Sequence, residues 1–218
     1  KSISNMIHML EANGVRVFSL SENTLDVDAF SFWKNDIPYI FLNTQKSAER
    51  SRFDAAHELG HLVLHRHGSP QGKSAEEEAD SFASALLMPR RTILGIKMAF
   101  PSLDGIIDIK KNWLVSSVAL TVRMKNVGIL TEWQYRTLMV EATKRGLRKE
   151  EINGIARERS LVIDKLLDAL KSDGIDMNKL STLLSIPIDE LSNLLFKVAV
   201  ISGGGLVSRR KHPNLKIV

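Results

Sequence analysis

His57, Glu58 and His61 stand together in the run Phe53-Asp54-Ala55-Ala56-His57-Glu58-Leu59-Gly60-His61-Leu62-Val63-Leu64, in the pattern H-E-x-x-H. On a helix, residues four apart share one face, with Cβ atoms about 5–6 Å apart. Two imidazoles at that spacing can close on a single metal ion, and the glutamate beside the first can reach the water that the ion activates. The chemistry is metal-assisted hydrolysis, and the arrangement is the core of a zinc peptidase. The plainer alternative is the polar face of an ordinary helix. The flanking residues are small or apolar, so the helix should be mostly buried. Burying two histidines and a glutamate is costly unless they are paired or coordinated. Gly60 costs a helix about 1 kcal/mol relative to alanine, which suggests that another backbone packs closely there.

A catalytic zinc takes three protein ligands and keeps one position open. The region with a third ligand to offer is Glu76-Glu77-Glu78-Ala79-Asp80-Ser81-Phe82-Ala83. A turn at 68–72 leads into it. Ala79, Phe82, Ala83, Leu86 and Leu87 repeat at helical spacing and put one face on the core. Glu76 shares a side with Ala79, Asp80 and Ala83, Glu77 is rotated toward solvent, and Glu78 falls between them as the main rival. In this reading Glu76 binds the metal, and Asp80 accepts a hydrogen bond from the far nitrogen of a ligand histidine, as outer carboxylates do. The alternative is an acidic triplet that only favours a helix N-terminus.

His65 continues the even spacing of His57 and His61. It lies about 12 Å from His57 along a helix axis, too far to share an ion at about 2 Å, so it reads as a helix-end residue. His67 lies just beyond, near the cleft. His8 and His212 carry no motif.

The stretch Glu49 to His65 resembles the ImmA/IrrE-type metallopeptidases, as does Glu76 to Pro89 with its ending Ala85-Leu86-Leu87-Met88-Pro89. Val27-Asp28-Ala29-Phe30-Ser31 and Ile37-Pro38-Tyr39-Ile40-Phe41-Leu42-Asn43 fit the front of that family. The resemblance covers about 1–145 well and the remainder loosely. It implies a cytoplasmic zinc endopeptidase that cleaves a helix-turn-helix repressor. It also implies His57, His61 and Glu76 as metal ligands and Glu58 as general base. Many relatives carry asparagine where this chain has Asp80; an aspartate makes the ligand histidine more basic. Relatives often have an N-terminal DNA-binding domain, and a chain beginning at Lys1 leaves room for an upstream segment.

The elements that must position these residues read as an α+β fold. An amphipathic helix over 2–13, with Gly14 as its cap, precedes strands at 15–20, about 26–34 and 37–43. Lys34-Asn35-Asp36 makes the last two a hairpin. This small three-stranded sheet with the active-site helix is a minimal zincin-like arrangement, followed by a mainly helical C-terminal part. The sheet is expected to hold the substrate backbone by strand addition. Met88-Pro89 ends the ligand helix, and a short helix is expected over 90–98. Residues 105–127 read as a helix-turn-helix-like segment with Ser116 as N-cap and Val118, Ala119, Val122 and Met124 packed inward. Its second helix offers only Arg123 and Lys125 as basic groups, which favours docking or packing over DNA reading. A helix from Thr131 carries Trp133, Tyr135, Leu138 and Met139 to 145. Charged helices are expected at 149–158, 160–172, 177–184 and 188–197. The expected division is a peptidase domain at 1–146 and a helical region with a flexible tail at 147–218.

Composition bounds the rest. The 218 residues are 44% hydrophobic and 25% charged, ordinary for a globular protein, and contain no cysteine. Disulfides and thiolate ligands are excluded, and a reducing compartment suits the chain. No apolar run approaches the ~20 residues that span a bilayer. Residues 1–140 hold 16 basic and 15 acidic side chains, and 141–218 hold 14 and 10. Neither part is a phosphate-binding surface by charge alone, so any nucleic-acid association is indirect. The basic cluster Ser208-Arg209-Arg210-Lys211 sits in a glycine-flanked tail. Zinc is the expected cofactor, with manganese or iron compatible with the same ligand set. For the oxyanion, Tyr39, His65 and His67 are the candidates. The alternative to a repressor-cleaving peptidase is a zinc-binding regulatory or DNA-associated module that acts on its partner without cleavage.

Overall fold

The computed structural model describes residues 2–20, 27–66, 72–98, 100–148 and 150–196. Helix α1 (Met6–Ala12) starts at Asn5, whose side chain accepts from the His8 amide at 2.9 Å. The expected helix over 2–13 is shortened because an asparagine cap satisfies the free amides better than further helix would. Its C-cap is Asn13, with Gly14 following at φ +83°.

Strands β1 (Arg16–Ser19), β2 (Ala29–Lys34) and β3 (Ile37–Leu42) form one sheet in the order β1-β3-β2. β1 runs parallel to β3 and β2 antiparallel to it. Asn35 and Asp36 close the hairpin, both at positive φ (51° and 59°). A two-residue turn of that hand matches strand twist, and Asn and Asp tolerate it. Val17, Ile40 and Leu42 are buried on one face of the sheet. The opposite face stacks Phe30 on Phe41 and Phe32 on Tyr39, at 4.8 and 5.2 Å.

Helix α2 (Ala48–Leu64) is capped by Ser47, which accepts from the Arg50 amide. Helix α3 (Lys73–Leu87) packs along it with Ala79 and Ala83 fully buried. These alanines allow the two backbones to approach. Ala55 and Ala56 of α2 join α1 and the sheet in the main core. Met88 caps α3 and Pro89 precedes α4 (Arg90–Ile93), much shorter than the helix expected over 90–98. The turn at 68–72 lies outside the described residues except for Gly72. His67, the basic cluster at 208–211 and His212 also lie outside them.

The helix-turn-helix-like segment is α5 (Leu103–Ile109), a 3-10 turn (Lys110–Asn112) and α6 (Ser117–Asn126), with Ser116 accepting from the Ala119 amide. Leu120, Thr121 and Met124 face the core together with Ser117. Met124 is buried as expected, Val118 and Ala119 pack partly buried against the core, and Val122 is partly buried; Leu120 and Thr121 complete the inward face. Helix α7 (Glu132–Lys144) starts with a capping box between Thr131 and Gln134. Its Leu138 is buried, whereas Trp133 is 74% exposed.

No helix forms over 150–160. Glu151 accepts from the Ser117 amide and hydroxyl and pairs with Lys110. Glu158 accepts from the Met6 amide and pairs with Arg52. Two carboxylates that read as helix surface in sequence instead cap α6 and α1, and Gly154 lies between them. The segment instead runs without helix between these anchors, with the Ile155 amide donating to Glu49 and Lys110 to the Asn153 carbonyl. Helices α8 (Leu161–Ser172), α9 (Met177–Leu184) and α10 (Ile188–Phe196) follow. Ile163, Leu191 and Leu195 form a small second cluster against Phe18 of β1. Ser19 donates to the Asn193 carbonyl, fixing α10 to the sheet. Among the described residues no helix is long and apolar enough to cross a membrane.

Candidate metal centre

Residues 57 and 61 lie one turn apart on α2, and Glu76 faces them from the first turn of α3. The His57 and His61 Nε2 atoms are 3.0 Å apart. Glu76 Oε2 is 3.2 Å from the first and its Oε1 3.4 Å from the second. Tetrahedral coordination with metal–ligand bonds of about 2.0–2.1 Å puts ligand atoms about 3.3 Å apart. The three side chains therefore already stand at the spacing of a coordination shell and could hold one ion.

Their outer hydrogen bonds bear on which ring nitrogen carries the proton. Asp80 Oδ1 lies 2.8 Å from His57 Nδ1. An ionised aspartate only accepts, so Nδ1 carries the proton and Nε2 presents its lone pair. His61 Nδ1 lies 2.9 Å from His65 Nδ1, and His65 Nε2 lies 3.2 Å from Glu78 Oε2. Read from the carboxylate inward, His65 donates to Glu78, which makes its Nδ1 an acceptor. His61 Nδ1 then donates and its Nε2 is also a bare lone pair. Two imidazole lone pairs thus face each other at 3.0 Å, an arrangement that requires a cation or a proton between them. The donor set of two neutral imidazoles and a carboxylate fits zinc, manganese or ferrous iron. The Asp80 hydrogen bond raises the His57 pKa above its ordinary 6.5, against the opposing effect of burial.

Glu58 lies next to His57 on α2, is 7% exposed, and turns under the sheet. Ser31 of β2 donates to its Oε2 at 2.6 Å. Burial raises the Glu58 pKa above its ordinary 4.5, with the Ser31 hydrogen bond opposing it. Trp33, two residues on, donates to the Leu62 carbonyl, and Arg66 stacks over its ring at 4.0 Å. β2 is thus pinned to α2 along the site.

The five residues expected at the site, His57, Glu58, His61, Glu76 and Asp80, are all brought together. Glu78, the rival ligand, is drawn off to His65. His65 is more than a helix-end residue, because its ring bridges His61 and Glu78. Its i,i+4 relation to His61 was the signal. Tyr39 points to the opposite face of the sheet from Ser31, where Arg16 donates to its hydroxyl. It does not face the centre. Ser31 and Asp54 carried no assigned role in the sequence reading. Ser31 is a small polar residue between aromatics on a strand, on the face turned to α2. Asp54 lines a cavity of about 270 Å³ with His57, Glu58, Glu76 and Asp80. Burial lifts its pKa from the ordinary 3.8 to about 6, and its Oδ2 is buried without a hydrogen-bond partner among the described residues.

The profile of the peptidase M78 family, described as the IrrE N-terminal-like domain, matches residues 10–125. The match runs from the end of α1 through β1–β3, α2 and α3 to α6, more than half of the chain. The chain belongs to the M78 family. No curated protein matches it. M78 membership makes it a metallopeptidase in general type, with a protein as substrate class. Within the M78 match fall all of His57, Glu58, His61, Glu76 and Asp80.

Proposed function

We propose that the chain is a zinc-dependent endopeptidase that cleaves a protein partner, a helix-turn-helix transcriptional repressor in the cytoplasm. His57, His61 and Glu76 are the metal ligands in this reading, Asp80 orients His57, and Glu58 is the general base. The observation that carries it is the pair of Nε2 lone pairs facing Glu76 beside a buried, Ser31-bonded glutamate. Family membership supports the reaction class. The helix-turn-helix repressor, the cytoplasmic location and zinc rather than another divalent ion rest on the family resemblance.

When bound, the metal polarises the scissile carbonyl and acidifies water. The protein's part is positioning and proton transfer. Ser31 holds Glu58 Oε2, leaving Oε1 to take the proton of the attacking water. Glu58 then delivers that proton to the leaving amine, so the base returns to its ionised state. Burial brings the Glu58 pKa nearer to neutrality, which suits a group that must both accept and give a proton. The edge strands of the sheet are β1 and β2, because β3 is paired on both sides; α10 packs against β1, and β2 is the edge beside Glu58. An extended substrate would therefore add beside β2, over Ser31 and the metal ligands. The division at 146/147 into a peptidase domain and a helical region is retained as part of this reading.

Glu58→Gln tests it. The variant should bind one equivalent of metal and fail to cut any repressor that the wild type cuts, as seen by fragment masses. Cleavage at the wild-type rate would overturn the general-base assignment. Relief of repression by the uncut mutant would favour a module that sequesters its partner.

A further inference from the structure

A groove of about 970 Å³ runs from the metal centre along α2 and α3 to α6. It shares Phe53, Asp54 and Asp80 with the cavity that holds His57, Glu58 and Glu76, so the two are continuous. The end near the centre is acidic. The far end is basic, with Arg50 from α2 and Arg123 and Lys125 from α6. Lys125 is paired with Glu132 at 3.6 Å. Arg123 and Arg50 make no ion pair among the described residues. Arg123 is fixed in place, because its Nε donates to the Met88 carbonyl at the end of α3 at 2.9 Å. Burial and the neighbouring Arg90 lower its pKa, as expected for a guanidinium held without a counter-ion. A partly buried guanidinium held at Nε by one carbonyl keeps its other N–H donors oriented for an anion.

Resting on the peptidase reading, we propose that this groove is a substrate subsite in which Arg123, assisted by Arg50, receives an acidic side chain of the polypeptide being cut. The spacing sets its position. Arg50 precedes His57 by seven residues, about 10 Å along the helix axis. An extended peptide covers about 3.3–3.6 Å per residue. An acidic side chain level with Arg50, where Arg123 lines the same groove, therefore lies about three residues from the scissile bond. Val118 and Val122 line the same wall and accommodate apolar neighbours of that residue. Asp54, Glu77 and Asp80 on the groove repel a continuous phosphate backbone, so an isolated carboxylate on a peptide fits better than nucleic acid.

The test uses the full chain carrying Glu58→Gln, loaded with one equivalent of zinc. Its probes are two fluorescein-labelled degenerate peptide mixtures, alike except for a central Glu in one and a central Gln in the other, and a labelled 20-base-pair DNA. The glutamate mixture should bind roughly tenfold more tightly than the glutamine mixture, the size of one charge-assisted contact. Arg123→Gln should erase that preference. Arg50→Gln, exposed on α2, should reduce it about threefold and serves if Arg123→Gln fails to fold. Equal binding of the two mixtures, a preference retained in Arg123→Gln, or a preference undiminished in Arg50→Gln overturns the proposal. Tight DNA binding lost in Arg123→Gln also overturns it, since the groove would then serve phosphate. The wild-type, zinc-loaded chain is then incubated with the glutamate mixture and the products are sequenced by mass spectrometry. Cuts lacking an acid two to four residues away reject the subsite and keep the peptidase. A glutamate preference in binding with no cut at all rejects the peptidase and keeps the groove as an acidic-peptide site.

Discussion

Replacing Gly60 by alanine probes how closely α2 and α3 must approach to assemble the centre. A Cβ on Gly60 would sit 3.1 Å from the Ala79 Cα, 3.3 Å from the Ala79 carbonyl oxygen and 3.3 Å from Phe82 Cδ1. Two of these are backbone atoms that no rotamer change can move, so α3 must shift outward by a few tenths of an ångström to restore ordinary carbon contacts. Glu76 lies less than a turn from Ala79 and moves with it. Metal sites tolerate about 0.2 Å in ligand distance, so the third ligand is displaced beyond tolerance. Metal affinity should fall by about 10–100-fold, the range seen when a metal's supporting shell is disturbed. Stability should fall less. Overpacking costs about 1–3 kcal/mol, and the helix recovers about 1 kcal/mol by exchanging glycine for alanine. The net loss is about 0–2 kcal/mol, a drop of up to roughly 8 °C in Tm at about 2–4 °C per kcal/mol for a chain of this size. Competition against a chromophoric chelator gives the affinity, and thermal unfolding in EDTA gives the stability of the apo fold. Affinity within threefold of wild type, with the fold intact, would refute the claim that close α2–α3 contact places Glu76.

Three further outcomes follow from the same geometry. Removing His65 (His65→Ala) breaks the link from Glu78 to His61, and metal affinity by chelator competition should drop about 10–100-fold; an unchanged affinity would make that link incidental. Asp54 has its pKa raised from 3.8 to about 6 by burial, so its favourable contribution is complete below pH 3.8 and is lost as pH rises through 6. That step corresponds to at most about 3 kcal/mol, so Asp54→Asn in metal-free protein should stabilise by about 1–3 kcal/mol at pH 8 and by almost nothing at pH 4; a pH-independent difference in urea unfolding would contradict the assignment. Lys110 is buried between Glu49 and Glu151, at 3.1 Å from each, so Lys110→Met leaves two buried carboxylates facing each other and should cost about 3–5 kcal/mol in urea unfolding. A loss under 1 kcal/mol would contradict the view that Lys110 holds those two carboxylates in the core.

The local signals were readable where one segment contains its own cause. H-E-x-x-H placed His57, Glu58 and His61 because an α-helix repeats nearly every four residues. The i,i+4 pair Glu76 and Asp80 was readable for the same reason, and both reach the histidines from α3. Asn35-Asp36 announced its turn, and Ser116 and Thr131 announced their helices. Gly60 was legible as a close approach, and Ala79 proved to be the partner. What was hidden depends on partners distant in sequence. Glu151 and Glu158 look like helix surface until Ser117, Lys110, Met6 and Arg52 arrive to claim them. Ser31 gains meaning only when β2 lies over Glu58. The inward face of α6 was legible at Met124, whereas Leu120 went unread because Val118 and Val122 are as apolar. Only the position of α2 and α3 shows that they line a groove.

The proposed function stands or falls on His57, His61 and Glu76 binding one divalent ion. X-ray absorption on the zinc-loaded chain, with metal content measured on the same sample, decides this. One equivalent of zinc is expected, with a first shell of nitrogen and oxygen at about 2.0–2.1 Å that includes two imidazoles and is lost in Glu76→Ala. Substoichiometric zinc, or a two-imidazole shell unaltered in Glu76→Ala, would contradict it.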